Sequence, residues 1–317
     1  MLLVLAAGCG RTRPEQIYLV AVEPPFWHAV TAAYPTLESE LRGLVLADGL
    51  RLQVLQLGAE EPRAELEAEL AGARYAGVVL TPLLSAEAEA LAAAHPAIRF
   101  VQLAWTGADQ ASRPQPPSNV AAVAFDRRGA LQRAGRLVAA YLAGQPATRL
   151  AVVAAADSGT AEVAAFRTGL AAGGVQDRVS EHLFVAERGS AGLRNSLEAA
   201  AGAGAGVVFL QAGELTGEAL RTLAAGGRLA VVSNWGNRRG YEATVLVSVD
   251  DPGLPAIVAG IETPPGVRTV VPARVVWGLA APLPNAAAGL YDGVRAAAVD
   301  AASVETPAER SSTAADS

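Results

Sequence analysis

The sequence predicts an α/β protein of two lobes, each a parallel sheet flanked by helices, with several chain crossings joining them. Three observations carry that expectation. Short apolar runs alternate with helix-length segments along almost the whole chain, which is the pattern of strands and helices in parallel sheets. A polar, Pro-rich stretch at 106–118 (TGADQASRPQPPS) interrupts the alternation, which then restarts. The chain has 317 residues, more than the roughly 250–300 at which a single core stops growing.

In order, IYLVAV (17–22) reads as the first strand, and 26–47 as a helix with Val30, Leu37, Leu41 and Leu44 on one face. RLQVLQL (51–57) is a second strand, and PRAELEAELAGA (62–73) a helix with proline in its first turn, where its missing N–H costs nothing. YAGVVLTP (75–82) is a buried strand, SAEAEALAAAH (85–95) a helix with Ser85 as N-cap, and IRFVQLAW (98–105) a strand. After the break come strand VAAVAF (120–125), helix 129–144, strand RLAVVAAA (149–156) and the helix TAEVAAFRTGLAAG. HLFVA (182–186), GVVFLQA (206–212), LAVVSNW (229–235) and TVLVSV (244–249) are further strands, with helices at 189–202, 214–226 and over DPGLPAIVAGIE. RTVVPARVVWGLA (268–280) reads as strands crossing back between lobes. The expected division is 16–105 plus about 237–264 for the N-terminal lobe, and 119–235 plus about 267–300 for the C-terminal lobe, with 301–317 a polar, disordered tail.

Composition narrows the function classes. The chain is 51% hydrophobic and 18% charged, a packed globular composition. Its net charge of -6 provides no basic stripe for phosphates, so nucleic acid is not an expected partner. All 25 basic residues are arginine, a compositional bias that lowers the weight of any one of them. The single cysteine excludes an internal disulfide and multi-cysteine metal sites. Cys9 follows an apolar start and three small residues in MLLVLAAGCGR, a pattern similar to a lipoprotein signal, with Cys9 lipidated and 1–15 forming signal and spacer. Ala6 stands where leucine is commonest, and no positive segment precedes the apolar run. The alternative is an apolar first strand that contains a cysteine.

Ligands in open parallel sheets bind beyond the carboxyl ends of the strands. Those ends carry Phe26 and Trp27, Trp105, Asp126 and Arg127, Asp157 and Ser158, Gln211 and Glu214, Asn234 and Trp235, and Ser248, Asp250 and Asp251. Rings supply flat walls for a ligand, and carboxylates and amides fix its polar edge. Each has a structural alternative: core packing for Phe26 and Trp27, hinge packing for Trp105 and Trp235, helix N-caps for Asp126 and Asp157. Adjacent helical residues point about 100° apart, so one of Phe26 and Trp27 is expected to meet ligand and the other to pack behind it.

PPFWHAV before a long helix, YAGVVLTP, AFDRRGALQRAGRLVAAYLAG and RLAVVAAADSGTAEVAAFRTGL together resemble the type 1 periplasmic-binding-protein superfamily over nearly the whole chain after the spacer. SNWG followed by VLVSVDDPGLPAIVAGIE is similar to the basic membrane protein (Bmp) lipoproteins, some of which are purine-nucleoside receptors. The resemblance implies Rossmann-like lobes, a ligand in the inter-lobe cleft, and hinged closure. Ala164 stands where sugar receptors carry an arginine, and Asn234–Trp235 where they carry an aspartate. Those losses favour a nucleoside or other aromatic solute over a sugar.

The expected function is an extracytoplasmic, lipid-anchored solute-binding protein that delivers its ligand to an ABC transporter permease, as a monomer and with no cofactor or metal. Alternatives are a sensing lipoprotein signalling to a membrane partner, a sugar receptor of the same fold, or a lobe pair serving as an adhesin. A regulator would need a DNA-binding headpiece, and only about a dozen residues precede the first strand. Catalysis is not expected. Of His28, His95 and His182, the second ends a helix and the third begins a strand, so neither of those two pairs with a nucleophile; DSGT (157–160) lacks the G-x-S-x-G elbow, and GAGAG (202–206) precedes its strand where a nucleotide loop must follow one.

Overall fold

The structure is a computed structural model that describes residues 17–24, 26–27, 31, 39, 41, 45–46, 50–58, 60–72, 75–105, 115–156, 160–185, 188–233, 240–251, 253–287, 289–291 and 293–294. The chain divides into two compact units, Met1–Arg127 with Asp251–Ala273, and Arg128–Asp250 with Arg274–Ser317. It therefore passes from one unit to the other after Arg127, after Asp250 and after Ala273.

Among the described residues, the first unit holds strands β1 (Ile17–Val22), β2 (Val45–Leu46), β3 (Leu50–Gln56), β4 (Gly77–Leu80), β5 (Arg99–Trp105), β6 (Val120–Asp126) and β12 (Arg268–Pro272). They form one sheet in the order β12-β6-β5-β4-β1-β3-β2, parallel except for the β2–β3 pair at the edge. β1 shows why its sequence is apolar throughout. Tyr18, Val20 and Val22 enter one core with Val79, Val101 and Val123. Leu19 and Ala21 enter the other with Leu80 and Phe100. Alternate residues point to opposite faces, and both faces are covered. Helix α7 (Gly253–Glu262) brings Ala256, Ile257 and Ile261 to the first core. Helices α1 (Pro62–Gly72) and α2 (Ala88–Ala94) bring Leu66, Leu70 and Leu91 to the second.

Arg99, at the start of β5, closes the carboxyl end of α7. Its Nη2 donates to the carbonyls of Ile261 (2.7 Å), Gly260 (3.3 Å) and Thr263. Those carbonyls have no partner within the helix, and a cation also opposes the negative end of the helix dipole. Arg99→Met is expected to cost about 2 kcal/mol in urea unfolding, the scale of a charged hydrogen-bond set.

The second unit's sheet runs β14-β13-β11-β10-β9-β7-β8, from β7 (Arg149–Ala155), β8 (Val179–Phe184), β9 (Ala205–Gln211), β10 (Leu229–Ser233), β11 (Val245–Asp250), β13 (Arg274–Trp277) and β14 (Gly293–Val294). β13 pairs antiparallel with β11, and β14 parallel with β13. Helices α3 (Arg127–Ala143), α4 (Thr160–Ala172), α5 (Gly189–Gly202) and α6 (Thr216–Ala225) complete the described α/β alternation. Phe166 of α4 stacks on Phe209 of β9 with centroids 4.2 Å apart. Helices α3 and α4 meet backbone to backbone. A Cβ at Gly135 would stand 2.2 Å from the Phe166 carbonyl oxygen, and one at Gly169 would stand 2.1 Å from that of Gln132. Arg178 repeats the role of Arg99, donating to the carbonyls of Leu142 (2.9 Å) and Thr148 (3.0 Å) near the end of α3.

Several expectations need correction. Strand 120–126 belongs to the first sheet, beside β5, so the Pro-rich stretch joins neighbouring strands of one sheet and does not divide the lobes. Strand 245–250 belongs to the second sheet and not, as expected from 237–264, to the first. β12, assigned to the C-terminal lobe, pairs with β6 in the first sheet. Val45 and Leu46 are strand and not helix, since they pair with β3. Ser85 is no N-cap. It lies inside a 3-10 turn over Pro82–Glu87, and α2 begins at Ala88. The expected signal, spacer and tail, with Cys9, lie outside the described residues.

Candidate functional site

Phe26 and Trp27 follow β1 in helical backbone, where the Trp27 amide donates to the Glu23 carbonyl at 2.9 Å. Both rings are buried, at 8% and 5% exposure, and both belong to the core that β1 shares with α7. They line a cavity of about 10 Å³ with Val20, Val22, Leu103 and Phe125. That is the room of about one water, so neither ring forms a wall there for a ring-shaped ligand. The remaining wall is Ile257, Gly253, Thr81 and Asp251.

Polar groups concentrate beside this cavity. Thr81, directly after β4, is fully buried, and its hydroxyl donates to Glu23 Oε2 and to the Ala21 carbonyl (3.1 Å). Glu23, directly after β1, is 6% exposed, and its Oε1 has no hydrogen-bond partner among the described residues. Burial pushes the Glu23 carboxyl above its ordinary range, with the Thr81 hydrogen bond opposing. Asp251 Oδ2 accepts from Arg127 Nη1 at 3.4 Å, and both side chains are almost wholly buried. Asp126 ends β6 opposite Pro272, half-buried, and its carbonyl accepts from the Ala273 amide. Trp105 ends β5 opposite Phe125.

In the second unit, Gln211 ends β9. Its Nε2 donates to Glu162 Oε2 at 2.6 Å, and its buried Oε1 has no partner among the described residues. Ser248 lies two residues before the end of β11, 1% exposed, with its Oγ likewise unpartnered. Asp250 ends β11 opposite Arg274, 4% exposed. Asp157, Ser158, Asn234 and Trp235 lie outside the described residues. Sequence reasoning passed over Glu23 and Thr81. A carboxylate at the close of an apolar strand, directly before Pro-Pro, is the signal that could have found the first of them.

Among the described residues no group of three His, Cys, Asp or Glu side chains is placed to hold a metal ion. No described helix is long and apolar enough to cross a membrane.

No family profile matches the chain, and no curated protein matches it. Solved structures do. An ABC transporter solute-binding protein from Conexibacter woesei superposes with a TM-score of 0.59 at 19% identity, covering 86% of this chain and 92% of that one. A second ABC transporter solute-binding protein, from Aeropyrum pernix, gives 0.56 at 16% identity over 82% and 74%. A LacI transcriptional regulator from a Rhodococcus species gives 0.56 at 15% identity over 85% and 99%. The chain has the type 1 periplasmic-binding-protein fold. Within that fold the two helix-flanked sheets each carry buried, incompletely bonded polar groups at or near the carboxyl ends of their strands.

Proposed function

We propose that the chain is an extracytoplasmic solute-binding protein that captures a small molecule with groups at the carboxyl ends of its strands. The observation that carries this reading is that each unit, taken by itself, leaves buried polar atoms without partners at or near those ends: Glu23 Oε1 in the first, and Gln211 Oε1 and Ser248 Oγ in the second. Leaving a buried polar atom unbonded costs about 1–3 kcal/mol, and a ligand that supplies the missing bonds recovers it. Arg99 Nε, also unpartnered, lies at the opposite end of the first sheet and belongs to the cap on α7.

The first candidate ligand is a nucleoside or another aromatic solute, as in Bmp-type receptors. In this reading Cys9 carries a lipid anchor, the protein acts as a monomer without cofactor, and the bound solute passes to an ABC transporter permease. No step of catalysis is required. Two of the superposed neighbours are ABC transporter solute-binding proteins, which supports the transport reading.

Native mass spectrometry of freshly purified protein is expected to show a carried small molecule, and adding that molecule to stripped protein is expected to change the intrinsic tryptophan fluorescence. Absence of a carried molecule, together with no thermal shift across nucleosides, sugars and amino acids, would overturn the reading.

A further inference from the structure

We propose that Glu23 is a neutral carboxylic acid at neutral pH, the head of a proton relay through Thr81 to the Ala21 carbonyl, and that this relay is a pH-sensitive clasp between the carboxyl ends of β1 and β4. The inference stands on the first unit alone and does not depend on a solute.

Three oxygens meet where these strands end. Thr81 Oγ1 is within hydrogen-bond reach of both Glu23 Oε2 and the Ala21 carbonyl. Two hydrogen bonds need two protons. The Thr81 hydroxyl has one, and neither a carbonyl nor an ionised carboxylate has any. A protonated Glu23 supplies the second. Its Oε2–H donates to Thr81 Oγ1, and the Thr81 hydroxyl is then free to donate to the Ala21 carbonyl at 3.1 Å. With Glu23 ionised, one proton has to serve both contacts, and the link from Thr81 back to β1 weakens.

The surroundings also disfavour the ion. Glu23 is 6% exposed and Thr81 fully buried. Glu23 Oε1 has no hydrogen-bond partner among the described residues. An unbonded oxygen costs less on a neutral acid than on a carboxylate, where it shares a full charge. Burial accordingly pushes the Glu23 carboxyl above its ordinary range, against hydrogen bonds from Thr81 and from its own amide. No charged neighbour figures among the causes of that shift. Asp251, which lines the same cavity as Thr81, is bonded to Arg127. The sign of the pH effect follows. Below the ordinary glutamate range both the folded and the unfolded chain hold this proton, and its contribution to stability is fully present. Above that range the unfolded chain releases the proton while the folded chain keeps it, so stability falls as pH rises, until the folded carboxyl ionises too.

The test compares the full chain with Glu23→Gln, whose amide is neutral at every pH and donates to Thr81 as the acid does. Two readouts are taken, the infrared difference spectrum at pH 7 and thermal unfolding from about pH 4.5 to 9. The wild-type chain is expected to show the carbonyl stretch of an un-ionised, hydrogen-bonded carboxyl that the variant lacks. The melting temperature of the variant relative to wild type is expected to rise by at least about 2 °C across that pH range, the scale of a one-unit shift in one group. Absence of the stretch at pH 7 overturns the proposal, and so does a stretch at the frequency of an acid with no acceptor. Melting temperatures that run parallel with pH also overturn it. A Glu23→Gln chain that cannot fold does the same, because a neutral acid there is replaced by a group of like shape and bonding. None of these outcomes bears on whether a solute is carried, which the native mass measurement decides separately.

Discussion

Asp251→Asn is expected to destabilise the first unit by about 3–5 kcal/mol, the cost of removing one partner from a buried ion pair. The side chains of Arg127 and Asp251 are 3% and 2% exposed, so water cannot take over the role of the lost carboxylate. The substitution keeps shape and removes charge, which isolates the electrostatic part. Arg127→Met alone should be costly for the complementary reason. The double variant is expected to recover part of the loss, since it leaves no buried charge without its counter-charge. Urea unfolding of the four proteins gives the coupling energy directly. A cycle whose single and double variants simply add would show that the contact at 3.4 Å contributes nothing of its own.

The second large effect is expected at the crossing of α3 and α4. Gly169→Val should destabilise the second unit by about 3 kcal/mol, at the upper end for overpacking. A Cβ there would meet the Gln132 carbonyl oxygen at 2.1 Å and the Arg136 amide nitrogen at 3.0 Å, and neither belongs to a side chain that can rotate away. The helices would have to separate, which would also disturb the stack of Phe166 on Phe209. Gly202 is the control. It ends α5, and a Cβ there meets nothing within 4 Å. Gly202→Ala is expected to be neutral or stabilising by up to about 1 kcal/mol, because alanine is the better helix former. Equal losses at the two positions would refute the close approach.

The strands were legible because parallel sheets covered on both faces demand unbroken apolar runs. IYLVAV, GVVL and VAAVAF are such runs, and each is a strand. The same property hides which sheet a strand joins. VAAVAF would read identically in either unit, since burial on two faces writes no address into the residues. Its partner β12 lies far along the chain, and no local pattern announces that pairing. The candidate site was legible only in part. Carboxyl ends of strands drew attention to Gln211, Ser248 and Asp250, all of which are half-buried or buried. The two rings of Phe26 and Trp27 drew more notice than Glu23, yet the carboxyl carries the unpartnered atom. Composition makes an aromatic pair conspicuous, while the burial of a strand-end glutamate depends on Thr81, which arrives from another strand.

The three passages of the chain between units bear on its synthesis. Because the first unit runs to Arg127 and resumes at Asp251, a ribosome that has made all of β6 has not yet made α7 or β12. The nascent first sheet waits with β6 as an unprotected edge, and unpaired edges invite the wrong partners. The second unit waits likewise for β13, which lies only one residue beyond β12. The first sheet therefore closes, and the second gains β13, almost together, when residues 268–277 leave the exit tunnel, with β14 following. Such late, long-range closure is slow, and it places the burden of avoiding aggregation on the period just before that short segment emerges.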